Sequence, residues 1–82
     1  MPKQSEIAYF ITSLIAKETG LKENDISADG SFFEYGLDSI SAIFLLEQVC
    51  ERYNIELSPL YFWDYPTIDA FSNQIYKENF AP

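Results

Sequence analysis

The sequence predicts an all-α fold, a small four-helix bundle in which three main helices and one short helix are joined by a long first loop. Three observations carry this. Apolar residues recur at spacings of three and four in three separate segments, and no segment sustains an alternation of apolar and polar residues. No internal repeat or Pro/Gly/Ser-rich linker divides the 82 residues, so residues 1–82 read as one domain with an ordered core over about 5–78. A chain this short buries only about 60% of the surface its unfolded form exposes, so each core side chain counts.

The first helix is expected from Ser5 to Thr19, with Ile7, Phe10, Ile11, Leu14 and Ile15 on one face. Ser5 is a candidate N-cap, with Glu6 near the positive helix end. Gly20 followed by Leu21 reads as a C-cap glycine with its hydrophobic contact. From Lys22 to Asp38 the periodicity breaks, and Asn24-Asp25, Asp29-Gly30 and Gly36 are turn signals. Asp25 and Asp29 are assigned to those turns. Ile26, Phe32 and Phe33 are the residues expected to pin this long loop to the core. Loops of such length in small domains are uncommon and often functional.

A second helix is expected from Ser39 to Tyr53, capped by Asp38, with a core stripe of Ala42, Leu45, Leu46, Val49 and Tyr53. Ile40, Ile43 and Phe44 lie on a different arc, so this helix is either buried between neighbours or shows a second apolar side to a partner. Cys50, next to that stripe, reads as a buried, inert thiol. Ser58-Pro59 is an N-cap followed by proline at the first helical position, so a short helix starts there and ends near Asp64, before Pro66. Thr67 caps a last helix from Ile68 to about Lys77, with Ile68, Phe71 and Ile75 inward. The first and last four residues read as frayed ends.

Five basic residues against thirteen acidic ones give a net charge of −8, which disfavours nucleic acid as a partner and favours basic proteins. Apolar residues at 48% and aromatics at 17% argue for a packed core over disorder. No apolar run reaches the roughly 20 residues of a membrane span, and Met1-Pro2-Lys3-Gln4 lacks signal-peptide features. With one cysteine there is no internal disulfide, so a cytoplasmic location is the expectation.

The chain contains no histidine, which excludes Ser-His and Cys-His nucleophilic systems and imidazole metal sites, and one cysteine cannot form a thiolate cage. The three glycines, at 20, 30 and 36, are too scattered for a phosphate-binding loop. Paired carboxylates remain available for acid–base work, but a bundle of this size has little room for the enclosed pocket they need. The chain therefore reads as a non-enzyme.

One constellation stands apart: Gly36-Leu37-Asp38-Ser39-Ile40, where the long loop enters the second helix. Gly36 permits a sharp turn, Asp38 caps the helix, and Ser39 falls in its first turn. Either Asp38-Ser39 is a good cap and nothing more, or the positive helix end stabilises a phosphate attached to Ser39. Spacing leaves both readings open.

The segment Phe32-Phe33-Glu34-Tyr35-Gly36-Leu37-Asp38-Ser39-Ile40 resembles the phosphopantetheine attachment site of acyl and peptidyl carrier proteins. The resemblance continues through Leu45 and Val49, Ile55-Glu56-Leu57 and Pro66-Thr67-Ile68, covering residues 6 to 77. It implies an acyl-carrier-protein-like fold and a covalent 4′-phosphopantetheine on Ser39, with Asp38, Gly36 and Leu37 flanking the attachment point. A phosphopantetheinyl transferase would transfer the group from coenzyme A, supplying the base and Mg²⁺ itself. The arm's thiol would then carry acyl intermediates as thioesters between partner enzymes.

Carriers of bacterial fatty acid synthesis typically place acids just after the serine, where this chain has Ser41-Ala42-Ile43-Phe44 and no acid before Glu47. Peptidyl carriers usually show a second glycine where this chain has Leu37. The resemblance is therefore to the acyl carriers of polyketide synthases and hybrid assembly lines, with peptidyl and fatty-acid carriers as alternatives. Its implied partners are a ketosynthase, acyl- or adenylate-loading enzymes and tailoring enzymes, met by a monomeric domain. A helical interaction domain lacking the arm is the competing reading of another class. Candidate recognition residues are Ile40, Phe44, Glu47, Tyr61 and Trp63. Within Tyr61-Phe62-Trp63, Tyr61 is the better surface candidate, whereas Phe62, and after it Trp63, lean towards the core.

Overall fold

Isoleucine at every fourth position fixes how the first helix sits. In the computed structural model, which describes residues 2–82, α1 (Gln4–Thr19) buries Ile7, Ile11 and Ile15 completely, and Phe10 and Leu14 flank that row half-buried. Gly20 ends the helix in the left-handed region at φ 78°, its N–H donating to Ala16 O at 2.9 Å. Ser5 is not the cap. The helix begins one residue earlier, because Gln4 Nε2 donates to the buried Ser72 Oγ at 2.8 Å and holds the first turn in place. The extended residue before it is Lys3, which offers no side-chain cap.

The second helix, α2 (Ser39–Tyr53), has the expected bounds and buries Ala42, Leu45, Leu46 and Val49. Asn54 closes it at φ 54°, one of the few side chains that tolerates that conformation. After it comes α3 (Tyr61–Asp64), then α4 (Ile68–Asn79), which buries Ile68, Phe71, Ser72 and Ile75. The short helix starts two residues later than the Ser58-Pro59 signal suggests. Pro59 and Leu60 form a turn in which Ser58 Oγ accepts from Leu60 N–H at 3.2 Å, and only then does the α-helical turn begin. Pro66 ends it as expected, with Tyr65 at φ −132°.

The long loop is folded back on the bundle by two short 3₁₀ turns, Glu23–Asp25 and Phe32–Tyr35. Tyr35 Oη spans its first half, accepting from Ser27 N–H at 2.8 Å and donating to Ser27 O at 2.9 Å. A side chain at Gly30 would collide with that hydroxyl. The loop's second half is tied to the start of α4: Phe32 N–H donates to Pro66 O at 2.9 Å and Asp69 N–H to Ala28 O at 2.8 Å. Ser31 and Thr67 form an isolated antiparallel bridge there, the one strand-like pairing among the described residues.

Phe32 is the loop's deepest anchor. Its ring meets Phe62 edge-on at 5.2 Å and Phe71 at 5.3 Å, so loop, α3 and α4 share one aromatic cluster. Ile26 is buried as expected, but Phe33 is not: its ring leaves the core. Phe33 lies a third of a turn further round the 3₁₀ helix than Phe32, which carries its ring to the surface. Cys50 is half-buried. The carboxy-terminal end is better ordered than its composition suggests, since Phe80 packs on Tyr53 and Ala81 N–H donates to Tyr76 O at 2.8 Å, whereas Met1 of the amino-terminal end lies outside the described residues. The radius of gyration is 11.6 Å, close to the roughly 12 Å of a fully condensed chain of this length. Among the described residues no helix is long and apolar enough to cross a membrane.

Candidate functional site

The loop enters α2 through two residues with opposite jobs. Gly36 adopts φ 82°, and its N–H donates to Phe33 O at 3.2 Å, which reverses the chain. Leu37 then turns into the core at 4% exposure. Leu37 therefore anchors the corner from below, and its side chain is not available to border an attached group as the sequence reading has it.

With the backbone pinned there, Asp38 sits extended at φ −88° and its Oδ1 accepts from Ser41 N–H at 2.8 Å. That backbone bond stabilises the anion and lowers the Asp38 pKa below the ordinary aspartate value. Ser41 Oγ also donates to Glu18 Oε1 at 3.0 Å, tying the end of α1 to the first turn of α2. Glu18 is a positioning residue the sequence did not reveal, because nothing local marks a contact across 23 positions.

Ser39 is the first residue of α2 and is exposed. Its hydroxyl stands at the positive end of a 15-residue helix, where backbone N–H groups favour a bound anion. Beside it lies a shallow cleft of about 50 Å³ lined by Phe33, Ser39, Ala42, Pro59, Phe62 and Trp63. Phe62 and Ala42 form its buried floor, while Phe33 and Trp63 form its outer wall, their rings stacked at 5.4 Å and 30°.

Trp63 is 68% exposed and Phe33 42%. The expected division within Tyr61-Phe62-Trp63 is thus reversed at its ends. Tyr61 turns towards α4, packing on Phe71 and donating to the Glu78 carboxylate, and does not face the Ser39 side. Burial and then Glu78 push the Tyr61 phenol above its ordinary pKa, and the same bond holds the Glu78 carboxyl below its own. Ile40 at 81% and Phe44 at 49% are exposed on α2, as are Ile43 and Glu47, so the second apolar arc of that helix is outward. Leu60 extends the apolar surface on the α3 side.

A larger concavity of about 420 Å³ lies between α1 and the end of α2, lined by Tyr9, Phe10, Arg52 and Tyr53 among others. None of the predicted site residues lines it. The Arg52 guanidinium lies 5.4 Å from the Phe10 ring centre, a cation–π contact that closes that end of the bundle.

A helical bundle of this shape, with a long first loop leading to an exposed serine at a helix start, belongs to the class of carrier domains. The phosphopantetheine attachment site family matches residues 10–75, and the chain belongs to that family. Membership implies a 4′-phosphopantetheine attached covalently to a serine, and the corner described above fits such a group: an exposed serine at the positive end of a 15-residue helix. The fold matches a free-standing peptidyl carrier protein from an Acinetobacter baumannii secondary metabolic pathway with a TM-score of 0.87. The two are 34% identical, over 93% of this chain and 95% of that one. An HMG-ACPI domain from the CurA module of Lyngbya majuscula follows at TM-score 0.84 and 29% identity, over 93% and 77%.

Among full-length relatives, the non-reducing polyketide synthase PKS16 of Cladonia grayi is 32% identical over 80% of this chain and 3% of its own length. The malformin synthetase mlfA of Aspergillus tubingensis is 38% identical over 87% of this chain and 1% of its own. The chain therefore spans only a few per cent of the curated relatives it matches.

Proposed function

We propose that Ser39 is the attachment point and that residues 1–82 act as one monomeric carrier domain in polyketide or hybrid polyketide/peptide biosynthesis. The observation that carries this is the state of the serines. Seven lie in the region matched by the family. Ser13, Ser27 and Ser41 donate to nearby oxygens, Ser31 and Ser58 accept backbone N–H groups, and Ser72 is buried and bonded. Ser39 is the seventh, exposed at the start of the helix.

In the loading reaction Ser39 Oγ forms a bond to the coenzyme A phosphorus that bears the pantetheine. The P–O bond to the neighbouring phosphate breaks, and 3′,5′-adenosine bisphosphate leaves with its electron pair. The hydroxyl proton passes to a base of the transferase, since no imidazole exists in this chain. The attached arm supplies a thiol that holds acyl groups as thioesters. This chain's residues do the rest: Gly36 and Leu37 fix the corner, Asp38 caps the helix, and Ile40, Phe44, Glu47 and Trp63 face the enzymes that dock. Those enzymes are a cytoplasmic phosphopantetheinyl transferase, a ketosynthase, and loading and tailoring enzymes. The catalysis is theirs.

The polyketide assignment is supported by the Cladonia relative and by Leu37 in place of a second glycine. A peptidyl carrier is the second reading, favoured by the Acinetobacter neighbour and by the malformin synthetase relative. Incubation with coenzyme A, Mg²⁺ and a promiscuous transferase should raise the intact mass by one phosphopantetheinyl group, and Ser39→Ala should abolish the gain. Absence of a gain under conditions that load a control carrier would favour an interaction domain without an arm. Mass analysis of the thioester on protein from its native host decides between an acyl and an aminoacyl cargo.

A further inference from the structure

Tyr35 is the last residue before Gly36, where the chain reverses into the Ser39 corner. Its ring packs against the core, while its hydroxyl bonds both backbone groups of Ser27, accepting from the N–H at 2.8 Å and donating to the carbonyl at 2.9 Å. Packing alone would be met by phenylalanine, so the hydroxyl serves this clamp. The Ser27 carbonyl also accepts from Gly30 N–H at 3.2 Å, which closes a turn over 27–30. Within that turn the Ala28 carbonyl accepts from Asp69 N–H in the first turn of α4 at 2.8 Å. A continuous set of bonds thus runs from α4, through the Ser27 turn, to the residue that precedes Gly36. The Gly36 N–H reaches back only to Phe33 O, inside the same 3₁₀ turn. Leu37 therefore holds the corner from the core, and Tyr35 holds it from the loop.

We propose that Tyr35 is a positioning residue for the loading reaction: its two bonds to Ser27 keep the corner in the one arrangement in which Ser39 is presented to the transferase. The inference rests on Ser39 as the attachment point. Tyr35 acts through Gly36 and the start of α2, not by touching the reacting atoms. A loop fixed in the competent arrangement is bound as it stands. A loop that visits several arrangements is bound with an affinity reduced by the fraction that fits. Loss of the clamp therefore raises KM for the apo protein and leaves kcat unchanged, because the complex that reacts is the same.

Two substitutions break the clamp from opposite sides. Tyr35→Phe removes the hydroxyl and keeps the ring. Gly30→Ala puts a methyl group where the Tyr35 hydroxyl lies, in a backbone outside the left-handed region, so the phenol gives way. Each variant is expected to raise KM for loading about threefold at unchanged kcat, the size set by the loss of a neutral hydrogen bond. Each should still gain the full phosphopantetheinyl mass at long times. The double variant should match either single one, because both remove the same bonds. Amide exchange at Ser27 and Gly36 should quicken in both. Unchanged KM in Tyr35→Phe would overturn the proposal, and so would additive effects in the double variant. A fall in kcat alone would overturn it by making the phenol a direct contact of the transferase. A melting temperature brought down to that of the assay would overturn it in favour of a contact that holds the fold. Failure of the parent protein to gain mass would instead remove the reading on which the proposal rests.

Discussion

At the scale of single residues, Asp38 ties the chemistry of the site to stability. Its carboxylate accepts the Ser41 N–H, and its folded pKa lies below the ordinary value of roughly 3.9. A group shifted down on folding contributes stability above its unfolded pKa and loses that contribution as pH falls through the folded value. Asp38→Asn keeps a capping side chain but cannot ionise. Its melting temperature is expected to lie below that of the parent at neutral pH and to converge with it as the pH falls below the ordinary aspartate range and through the lowered Asp38 value. Thermal melts across that range check this, and a gap independent of pH would contradict it. Phe44 and Phe71 make a complementary pair. Phe71 is fully buried among aromatic rings, so Phe71→Ala should cost about 3–5 kcal/mol, with roughly 4–8 °C of melting temperature for each. Phe44 is half-exposed, so Phe44→Ala should leave the melting temperature almost unchanged and slow loading by a transferase. A drop comparable to that of Phe71→Ala would place Phe44 in the core.

At the scale of elements, the short helix α3 is held by its surroundings far more than by its own hydrogen bonds. It spans four residues, far fewer than an isolated helix needs. Phe62 plugs it into the core on one side, and Tyr61 ties it to α4 through Glu78. Tyr61→Phe removes that tie and keeps the ring. Amide hydrogen exchange at Asp64 and Tyr65, whose N–H groups close the helix, is expected to accelerate several-fold, with exchange in α2 unaffected. Uniform acceleration would mean that the tie stabilises the whole molecule. Thr67 does a comparable job for α4, its Oγ1 accepting from Ala70 N–H at 3.1 Å, and Thr67→Ala should cost about 1 kcal/mol in denaturant unfolding. These elements also show what was legible in the sequence. The bounds of α2 and the Thr67 cap could be read because capping residue and apolar stripe lie side by side in the chain. The start of α1 could not, because Gln4 is fixed by Ser72, 68 positions away. Nor could the facing of Tyr61 and Trp63, since barely one turn of helix has no period to read. The Ser39 corner was legible because its parts are contiguous; the Phe33–Trp63 wall was not, being assembled from residues 30 positions apart.

At the scale of the whole molecule, an acidic chain presents an apolar face, free of basic side chains, around Ser39. The net charge is −8, and the five cations are Lys3, Lys17, Lys22, Arg52 and Lys77, none of which lines the cleft beside Ser39. The face around that residue is built from Ile40, Ile43, Phe44, Phe33 and Trp63, with Glu47 exposed one turn further along α2. On the proposed carrier function, a basic partner would be drawn by the overall charge and then held through apolar side chains. The two contributions respond differently to salt. Exposed charges are screened beyond about 10 Å at 0.1 M ionic strength and about 3 Å at 1 M, while apolar burial does not weaken in this way. Loading by a transferase, measured as kcat/KM at increasing sodium chloride, is therefore expected to fall and then level off at a rate sustained by apolar contact. Glu47→Gln should lower the rate at low salt, flatten the salt dependence and merge with the parent at high salt. Phe44→Ala should lower the rate by a similar factor at every concentration, because what it removes is not screened. If the Phe44→Ala deficit disappears at high salt while Glu47→Gln keeps the parent's slope, the apolar arc of α2 is not the contact surface, and recognition runs through the acidic residues elsewhere on the bundle.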